Sequence, residues 1–190
     1  DSRGDSFILS GAKLFVPDAH VSDFMVVTAR TEGGYDRAQG ITLFFIDTKA
    51  EGISITPLIT MDGGRKQSEV VFNDVSVPKD NILGELNRGW EPLCRVIQRA
   101  AVGLTAENVG GSQKAMEMAV DYAKIRVAFG QPIGGYQAIK HMCSEMLVDV
   151  ESARSILYYA AWAQEELDPE AAALAASAAK SQSSEGFVTV

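Results

Sequence analysis

A guanidinium group, an aromatic ring and a side-chain amide lie close together in the second half of the chain, at Arg126, Phe129 and Gln137. A planar guanidinium donates paired hydrogen bonds with a geometry that suits a diphosphate, so Arg126 is a candidate anion-binding residue. The structural alternative is an arginine in the last turn of a helix, where a cation complements the helix dipole. The residue types alone leave both interpretations open.

Residues that bind metals or form disulfides are few and scattered. His20 and His141 have no Cys or acid at ligand spacing, so we predict no metal site. Cys94 and Cys143 lie one in each of two apolar, helix-like stretches, which does not resemble a disulfide framework. The cysteines therefore indicate a reducing compartment, and we expect a cytoplasmic protein, or a mitochondrial-matrix protein if the source is eukaryotic.

Composition argues against several classes of partner. The 190 residues are 46% hydrophobic and carry a formal net charge of −8, which is spread along the chain. Such a charge disfavours unaided binding to nucleic acid or to an anionic membrane. The longest apolar runs, such as residues 41–46, are far too short to span a bilayer. We therefore expect a soluble protein with no nucleic-acid partner and no membrane insertion.

The first half of the chain has the pattern of an antiparallel β domain. Short β-rich runs alternate with turn residues, at residues 7–9, 13–16, 24–29, 41–47, 53–56 and 69–72. Ser10-Gly11 is expected to form a tight hairpin turn between the first two runs. Residues 31–40 contain Gly33-Gly34 and several polar residues, and they are expected to form a longer exposed loop.

After Gly89 the spacing of apolar residues changes to that of helices. A first stripe, broken by Gly110-Gly111, comprises Leu93, Ile97, Ala100, Leu104, Ala115, Met118 and Tyr122. Two adjacent glycines suggest close approach of another helix or of a ligand, of which helix packing is the simpler cause. A second stripe predicts a helix from near Gly135 to near Glu166, through Ile139, Met142, Met146, Val150, Ala153, Leu157 and Ala160.

A third helix should begin after Asp168, because Asp168-Pro169-Glu170 has the order of an N-cap, a first-turn proline and a first-turn acid. We therefore predict an α+β protein, in which an antiparallel β barrel or sandwich domain is followed by an up-and-down α-helical bundle. The expected domains are residues 1–86, truncated at the N-terminal side, and residues 87–190, truncated at the C-terminal side.

Three segments, in order along the chain, resemble the acyl-CoA dehydrogenase family. The first is Gly4-Asp5-Ser6-Phe7-Ile8-Leu9-Ser10-Gly11-Ala12-Lys13, similar to the hairpin that leads into the family's flavin wall. The second, at the domain junction, is Val70-Val71-Phe72-Asn73-Asp74-Val75-Ser76-Val77-Pro78, continued by Asn81-Ile82-Leu83-Gly84-Glu85 and Gly89-Trp90. The third resembles the loop between two bundle helices, Arg126-Val127-Ala128-Phe129-Gly130-Gln131-Pro132-Ile133 with Gln137-Ala138-Ile139.

The resemblance implies an FAD-dependent enzyme of fatty acid metabolism that dehydrogenates the α and β carbons of an acyl-CoA thioester. In that family a Glu carboxylate takes the α proton, hydride leaves the β carbon for flavin N5, and electrons pass to an electron-transfer flavoprotein. It also implies a homo-oligomer, a dimer or tetramer, formed through the helical domain. Because both ends of the chain look cut, we expect a fragment that is inactive alone.

The same resemblance assigns cofactor-binding roles. Arg126 would contact the pyrophosphate or adenosine part of FAD across a subunit interface, Phe129 would pack against the cofactor and Gln137 would hydrogen-bond to it. Phe15, Val16 and Pro17 match the strand beside the flavin ring, where the family usually has an aromatic at the Phe15 position. At the Pro17 position the family usually has a hydroxyl that donates toward N5, whereas proline has no such donor. Core packing is the alternative for Phe15 and Phe129.

No catalytic base is predicted within the chain. Gln98 occupies a position where a minority of the family places the catalytic Glu, and an amide cannot act as that base; the base is expected beyond Val190. Arg99 matches a substrate-binding arginine that contacts CoA, although Val96 replaces the usual acid three residues before it, and a surface ion pair is the alternative. Glu107 is interpreted as a solvated or interface charge, and Arg65 is given no role.

Two alternatives to a dehydrogenase fragment are kept open. Pro17, Val96 and Gln98 are the substitutions expected of a non-catalytic structural subunit in a heteromeric acyl-CoA dehydrogenase. A flavin-dependent monooxygenase with the same architecture is the other alternative. Flavin absorbance tests the first alternative, and oxygen consumption with supplied reduced flavin tests the second.

Overall fold

The β half forms two antiparallel sheets. The computed structural model describes residues 2–33, 36 and 38–190, and the chain divides into two compact units, Asp1–Leu93 and Cys94–Val190. The strands of the first unit are β1 (Ser2–Arg3), β2 (Ser6–Pro17), β3 (Phe24–Arg30), β4 (Ile41–Asp47), β5 (Ile53–Pro57), β6 (Gln67–Pro78) and β7 (Ile82–Leu83). One sheet has the order β1, β2, β6, β5, and the other has the order β3, β4, β7.

The two sheets enclose one apolar core. Alternate residues of β4 and β6 point inward, so that Phe44 and Val70 are fully buried. The ring of Phe7, from β2, meets Phe44 edge to face with 5.5 Å between the ring centroids. The predicted α+β class is confirmed in its sandwich form, because the described strands form two separate sheets rather than a closed barrel.

The hairpin turn predicted at Ser10-Gly11 is wrong. β2 continues through both residues, with Leu9 opposite Val75 and Gly11 opposite Phe72 of β6. This shift in register is a β-bulge in β6, where Asn73 and Asp74 lie opposite Ser10 alone and Asp74 has φ at 51°; Gly11, next to Ser10 on β2, has φ at 144°. Glycine marks both turns and bulges, so the local sequence could not separate the two. The tight turn lies at Gly4-Asp5 instead, between β1 and β2.

The predicted loop at residues 31–40 has no helix or strand among its described members, while residues 34, 35 and 37 lie outside the described residues. At the end of the β unit, β6 ends at Pro78. A 3-10 helix at Lys79–Asn81 and the short strand β7 then lead to the first long helix.

Three long helices follow, the first two as the apolar periodicity predicts and the third as the order Asp168-Pro169-Glu170 predicts. They are α1 (Trp90–Ile125), α2 (Gln137–Glu166) and α3 (Pro169–Thr189). The carboxylate of Asp168 caps α3 by accepting hydrogen bonds from the backbone N–H groups of Glu170 and Ala171. None of the described helices is long and apolar enough to cross a membrane.

Gly110 and Gly111 do not interrupt α1. A Cβ placed on Gly111 would lie 2.6 Å from a ring carbon of Phe187, which belongs to α3, whereas a Cβ on Gly110 would meet nothing within 4 Å. Close helix packing therefore accounts for Gly111 alone. The sequence contains no signal that distinguishes the two glycines, because their difference depends on which face of α1 meets α3.

The helices pack by two kinds of contact. α2 and α3 meet through small buried residues, Ala160, Ala163, Ala175 and Ala179. α1 meets them partly through polar side chains, since Gln113 accepts a hydrogen bond from Arg154 and Asn108 donates to Ser183. Much of the predicted apolar stripe of α1 is on the surface of this chain, including Ile97, Leu104, Met118 and Tyr122.

Candidate functional site

The connection between α1 and α2 contains a short β-hairpin with a two-residue loop. β8 (Val127–Ala128) pairs with β9 (Gln131–Pro132), which leaves Phe129 and Gly130 at the tip with φ of 51° and 85°. Positive φ at both central residues is the geometry of a type I′ turn, and glycine adopts it without a steric penalty. The turn holds the Phe129 side chain in solvent, where it is 97% exposed.

Tyr136, at the start of α2, contacts and stabilises this hairpin. Its hydroxyl donates a hydrogen bond to the carbonyl oxygen of Ala128 at 2.9 Å. Its ring lies edge to face with that of Phe129, with 6.4 Å between the centroids. The sequence analysis did not select Tyr136, because no local pattern indicates that a tyrosine will reach back to a preceding turn.

Arg126 directly follows the last residue of α1. Its backbone N–H donates to the carbonyl oxygen of Tyr122 at 2.9 Å, and its own carbonyl oxygen accepts from Ile133 at 2.8 Å. The exposed side chain makes no hydrogen bond or ion pair with the described residues. Lys124, by contrast, pairs with Asp121 at 3.1 Å. The guanidinium of Arg126 is thus available to an anion.

Gln137 is the exposed first residue of α2. The residue before it, Tyr136, provides no side-chain cap, and no side chain in the part of the chain that the structure describes satisfies the first N–H groups of the helix. Those groups carry the positive end of the helix dipole. Arg126, Phe129 and Gln137 therefore lie at one corner of the helical unit, where a cation, an exposed ring and free N–H groups occur together.

The other predicted cofactor residues lie at the end of β2, in the β unit. A second register shift separates Lys13, opposite Val70, from Val16, opposite Ser68. Phe15 falls in this bulge with φ at 58° and is 63% exposed, so it is not a core residue of this unit. Val16 packs partly against the core.

Pro17 is exposed and lies opposite Gln67 of β6. Gln67 was not selected from the sequence, because no local signal predicts which residue of a distant strand will face Pro17.

The residues considered for catalysis and substrate binding lie in the first half of α1. Gln98 is half-buried. Arg99 donates to Glu165 of α2 at 3.1 Å, and both side chains are largely exposed, which is the surface ion pair considered as the alternative. Glu107 is exposed.

The described residues contain no group of three or more Asp, Glu, His or Cys side chains that could hold a metal ion. His20 and His141 are exposed, and Cys94 and Cys143 are free and partly buried. The cysteines are separate thiols, as the sequence predicts.

A cavity of about 570 Å³ lies in the β unit between β2 and β3. Its polar lining includes Ser10, which donates to Asp74 at 2.7 Å, and Lys13, which donates to Thr28 at 3.4 Å. None of the predicted site residues lines it. The cavity and the candidate cofactor residues are therefore distinct features.

Two family models match most of the chain. Residues 1–75 match the acyl-CoA dehydrogenase middle domain, and residues 87–190 match the acyl-CoA dehydrogenase C-terminal domain. A β sandwich followed by a helical bundle is thus the architecture of these two domains in order. The chain belongs to the acyl-CoA dehydrogenase family.

Individual relatives agree with this assignment. The chain is 34% identical over 160 residues to subunit CarC of the caffeyl-CoA reductase–Etf complex of Acetobacterium woodii, covering 83% of the chain and 42% of that protein. It is 35% identical over 162 residues to a 3-(aryl)acrylate reductase of Clostridium sporogenes, covering 84% of the chain and 43% of that protein. The chain therefore spans less than half the length of these curated relatives.

Solved structures give the same result. The chain is similar to butyryl-CoA dehydrogenase from Megasphaera elsdenii, with a TM-score of 0.89 and 29% identity over 97% of this chain and 48% of that one. It is also similar to PigA with FAD and proline, with a TM-score of 0.83 and 29% identity over 95% of this chain and 49% of that one.

Proposed function

We propose that this chain is part of an FAD-dependent acyl-CoA dehydrogenase that acts on the Cα–Cβ bond of an acyl-CoA thioester. Family membership supports the reaction class. The observation that carries the proposal is the corner between α1 and α2, where the exposed side chains of Arg126, Phe129 and Gln137 flank an uncapped helix N-terminus. These groups suit a dinucleotide, which presents a diphosphate and an aromatic base together.

The chemical types of these side chains suit FAD. The guanidinium of Arg126 would pair with the pyrophosphate, with Phe129 packing against the adenosine part and the amide of Gln137 hydrogen-bonding to it. Phe15 and Val16 would line one side of the flavin ring. When bound, FAD supplies a hydride acceptor for the substrate β carbon.

Substrate activation is divided between this chain and the rest of the protein. Gln98 carries an amide and cannot remove the α proton, so we assign that proton to a carboxylate outside residues 1–190. Arg99 would contact the CoA chain, in competition with the ion pair that it forms with Glu165. A solvated pair of this kind contributes no more than about 1 kcal/mol, so an anionic substrate can displace it.

We further propose that electrons are exchanged with an electron-transfer flavoprotein, a partner suggested by the name of the Acetobacterium woodii relative. The exposed apolar residues on α1, among them Ile97, Leu104, Met118 and Tyr122, support a homo-oligomer formed through the helical domain. We also propose that the chain divides into a β domain at residues 1–86 and a helical domain at residues 87–190. The proposed location is the cytoplasm or the mitochondrial matrix.

FAD binding by the full-length protein tests the proposal directly. We expect a flavin absorbance band and acyl-CoA-dependent reduction of an electron-accepting dye. Arg126→Ala should weaken FAD binding by about tenfold or more, because it removes a charge-assisted contact. The matched control is Lys124→Ala, which removes a nearby cation that is already paired with Asp121 and should leave FAD binding unchanged. Equal FAD binding by the wild type and Arg126→Ala would contradict the proposed role of the corner.

A non-catalytic structural subunit is the second candidate function. It is favoured by Gln98, which cannot act as a base, and by Pro17, which cannot donate a hydrogen bond. In that case the full-length protein would be isolated without flavin and would reduce no dye alone, although it would still associate with a catalytic subunit. The absorbance measurement therefore distinguishes the two candidates.

A further inference from the structure

We infer that Gln67 donates a hydrogen bond to the flavin ring system, in place of the donor that β2 lacks at Pro17. The inference rests on the proposed function, because it takes the end of β2 as the flavin-facing strand. It adds a cofactor-binding residue that lies on a different strand, some fifty positions along the chain from the predicted flavin wall.

β2 has few donors to offer at this point. Pro17 has neither a backbone N–H nor a polar side chain. The next N–H along the chain, that of Asp18, already donates to the carbonyl oxygen of Lys66 at 3.1 Å. The oxidised isoalloxazine presents hydrogen-bond acceptors along one edge, at N5 and at the neighbouring carbonyl oxygen. A flavin beside Pro17 would therefore need a donor from another strand.

Gln67 is placed to provide that donor. It is the residue of β6 directly opposite Pro17 in the antiparallel pair. Residues opposite each other point to the same face of a sheet, with their Cβ atoms about 5 Å apart. The Gln67 side chain is half-buried and makes no hydrogen bond with any described residue. Both N–H bonds of its amide are thus available beside the proline.

The neighbours of Gln67 do not offer the same group. Ser68 has a buried hydroxyl with no hydrogen-bond partner among the described residues, but it points to the core face, opposite Val16. Glu69 shares the outer face with Gln67, but an ionised carboxylate only accepts hydrogen bonds. Thr56 pairs with Glu69 from β5, one strand farther from β2. Among the residues compared, Gln67 is therefore the side-chain donor that lies directly opposite Pro17 in the strand pair.

The test uses the full-length protein and measures the FAD dissociation constant and the visible flavin spectrum. Gln67→Leu keeps the size of the side chain and removes its donor, and it should weaken FAD binding by about three- to tenfold and shift the visible band. Pro17→Thr combined with Gln67→Leu places a hydroxyl on the adjacent strand and should restore most of the affinity. Thr56→Val is the matched control and should change neither quantity.

Each outcome has a defined meaning. Wild-type affinity and an unchanged spectrum in Gln67→Leu, with weakened binding in Arg126→Ala, would overturn the role of Gln67 and leave the proposed function intact. If wild-type protein binds no FAD, the proposed function fails and this inference fails with it. Urea unfolding of Gln67→Leu separates a binding defect from misfolding, because removing an unpartnered amide should not lower stability. A loss of affinity that Pro17→Thr does not rescue would also count against the inference.

Discussion

Two phenylalanines, one in each unit, share an unusual combination of properties. Phe129 and Phe15 both have positive φ, at 51° and 58°, and both side chains are mainly exposed. A bulky residue in the left-handed region is uncommon and costs about 1–3 kcal/mol. Neither ring recovers that cost by burial in the core of its own unit. Strain of this kind, observed at two predicted cofactor residues, supports a role for the rings outside folding.

The origin of the strain differs between the two positions. Phe129 is the first of two residues in a type I′ turn, so its φ follows from a local hairpin and its neighbour Gly130. Phe15 lies in a bulge whose geometry depends on pairing with β6, more than fifty residues away in sequence. The helical corner is therefore a locally encoded feature, whereas the end of β2 is defined only by tertiary pairing.

The largest expected effect comes from breaking the local turn. Gly130→Val places a β-branched residue at φ 85°, and we expect it to lower the free energy of unfolding by about 2 kcal/mol and to expose the corner to protease. Gly103→Ala is the control, because Gly103 lies inside α1 with open space around its Cβ position, and it should be neutral or stabilising. Equal destabilisation of both variants in urea would show that the turn has no special requirement.

This contrast also describes what the sequence could predict. The helices, most strands and the cap at Asp168 follow from period and local residue type, whereas the loop around Phe129 was expected from the family resemblance. The two bulges in the pairing of β2 with β6 do not follow from local residue type, because a glycine such as Gly11 is compatible with a turn or with a position beside a bulge until its partner strand is known. The pairing of Gln67 with Pro17 was inaccessible for the same reason.

The apolar stripe of α1 was recognised as helical, but the sequence did not show which face of α1 this chain itself covers. Apolar periodicity identifies a helix without stating what covers each face. The buried residues of α1 are Thr105, Val109, Ser112 and Ala123, and two of these four are polar. Periodicity therefore selected the face that this chain leaves exposed.

A smaller effect is expected from removing the hydrogen bond that Tyr136 donates to the hairpin. Tyr136→Phe deletes the hydrogen bond to Ala128, and we expect a loss of about 1 kcal/mol in the free energy of unfolding. Hydrogen exchange at residues 127–132 should rise in parallel. Tyr158→Phe is the matched control, since its exposed hydroxyl has no hydrogen bond to the described residues and its removal should change neither stability nor exchange. Unchanged hydrogen exchange in Tyr136→Phe would mean that the hairpin is stable without this hydrogen bond.

Replacing the exposed ring of Phe129 should separate stability from function. Asn is favoured at the first position of a type I′ turn, so Phe129→Asn should raise the free energy of unfolding by about 1 kcal/mol or slightly less, allowing for the lost contact with Tyr136. The same change should weaken FAD binding by about fivefold. A variant that loses stability but keeps its FAD affinity would assign Phe129 to folding alone.

The smallest expected change in stability is at Phe15, and it tests the comparison most directly. Phe15→Asn relieves the same left-handed strain, but asparagine is disfavoured in the flanking strand, so the net gain should be only about 0.5 kcal/mol. Leu14→Asn, at the neighbouring exposed position without positive φ, should give no gain. If Phe15→Asn instead stabilises the protein as much as Phe129→Asn, the bulge and the turn impose the same amount of backbone strain. The distinction between local and tertiary encoding would then have no energetic consequence at these two sites.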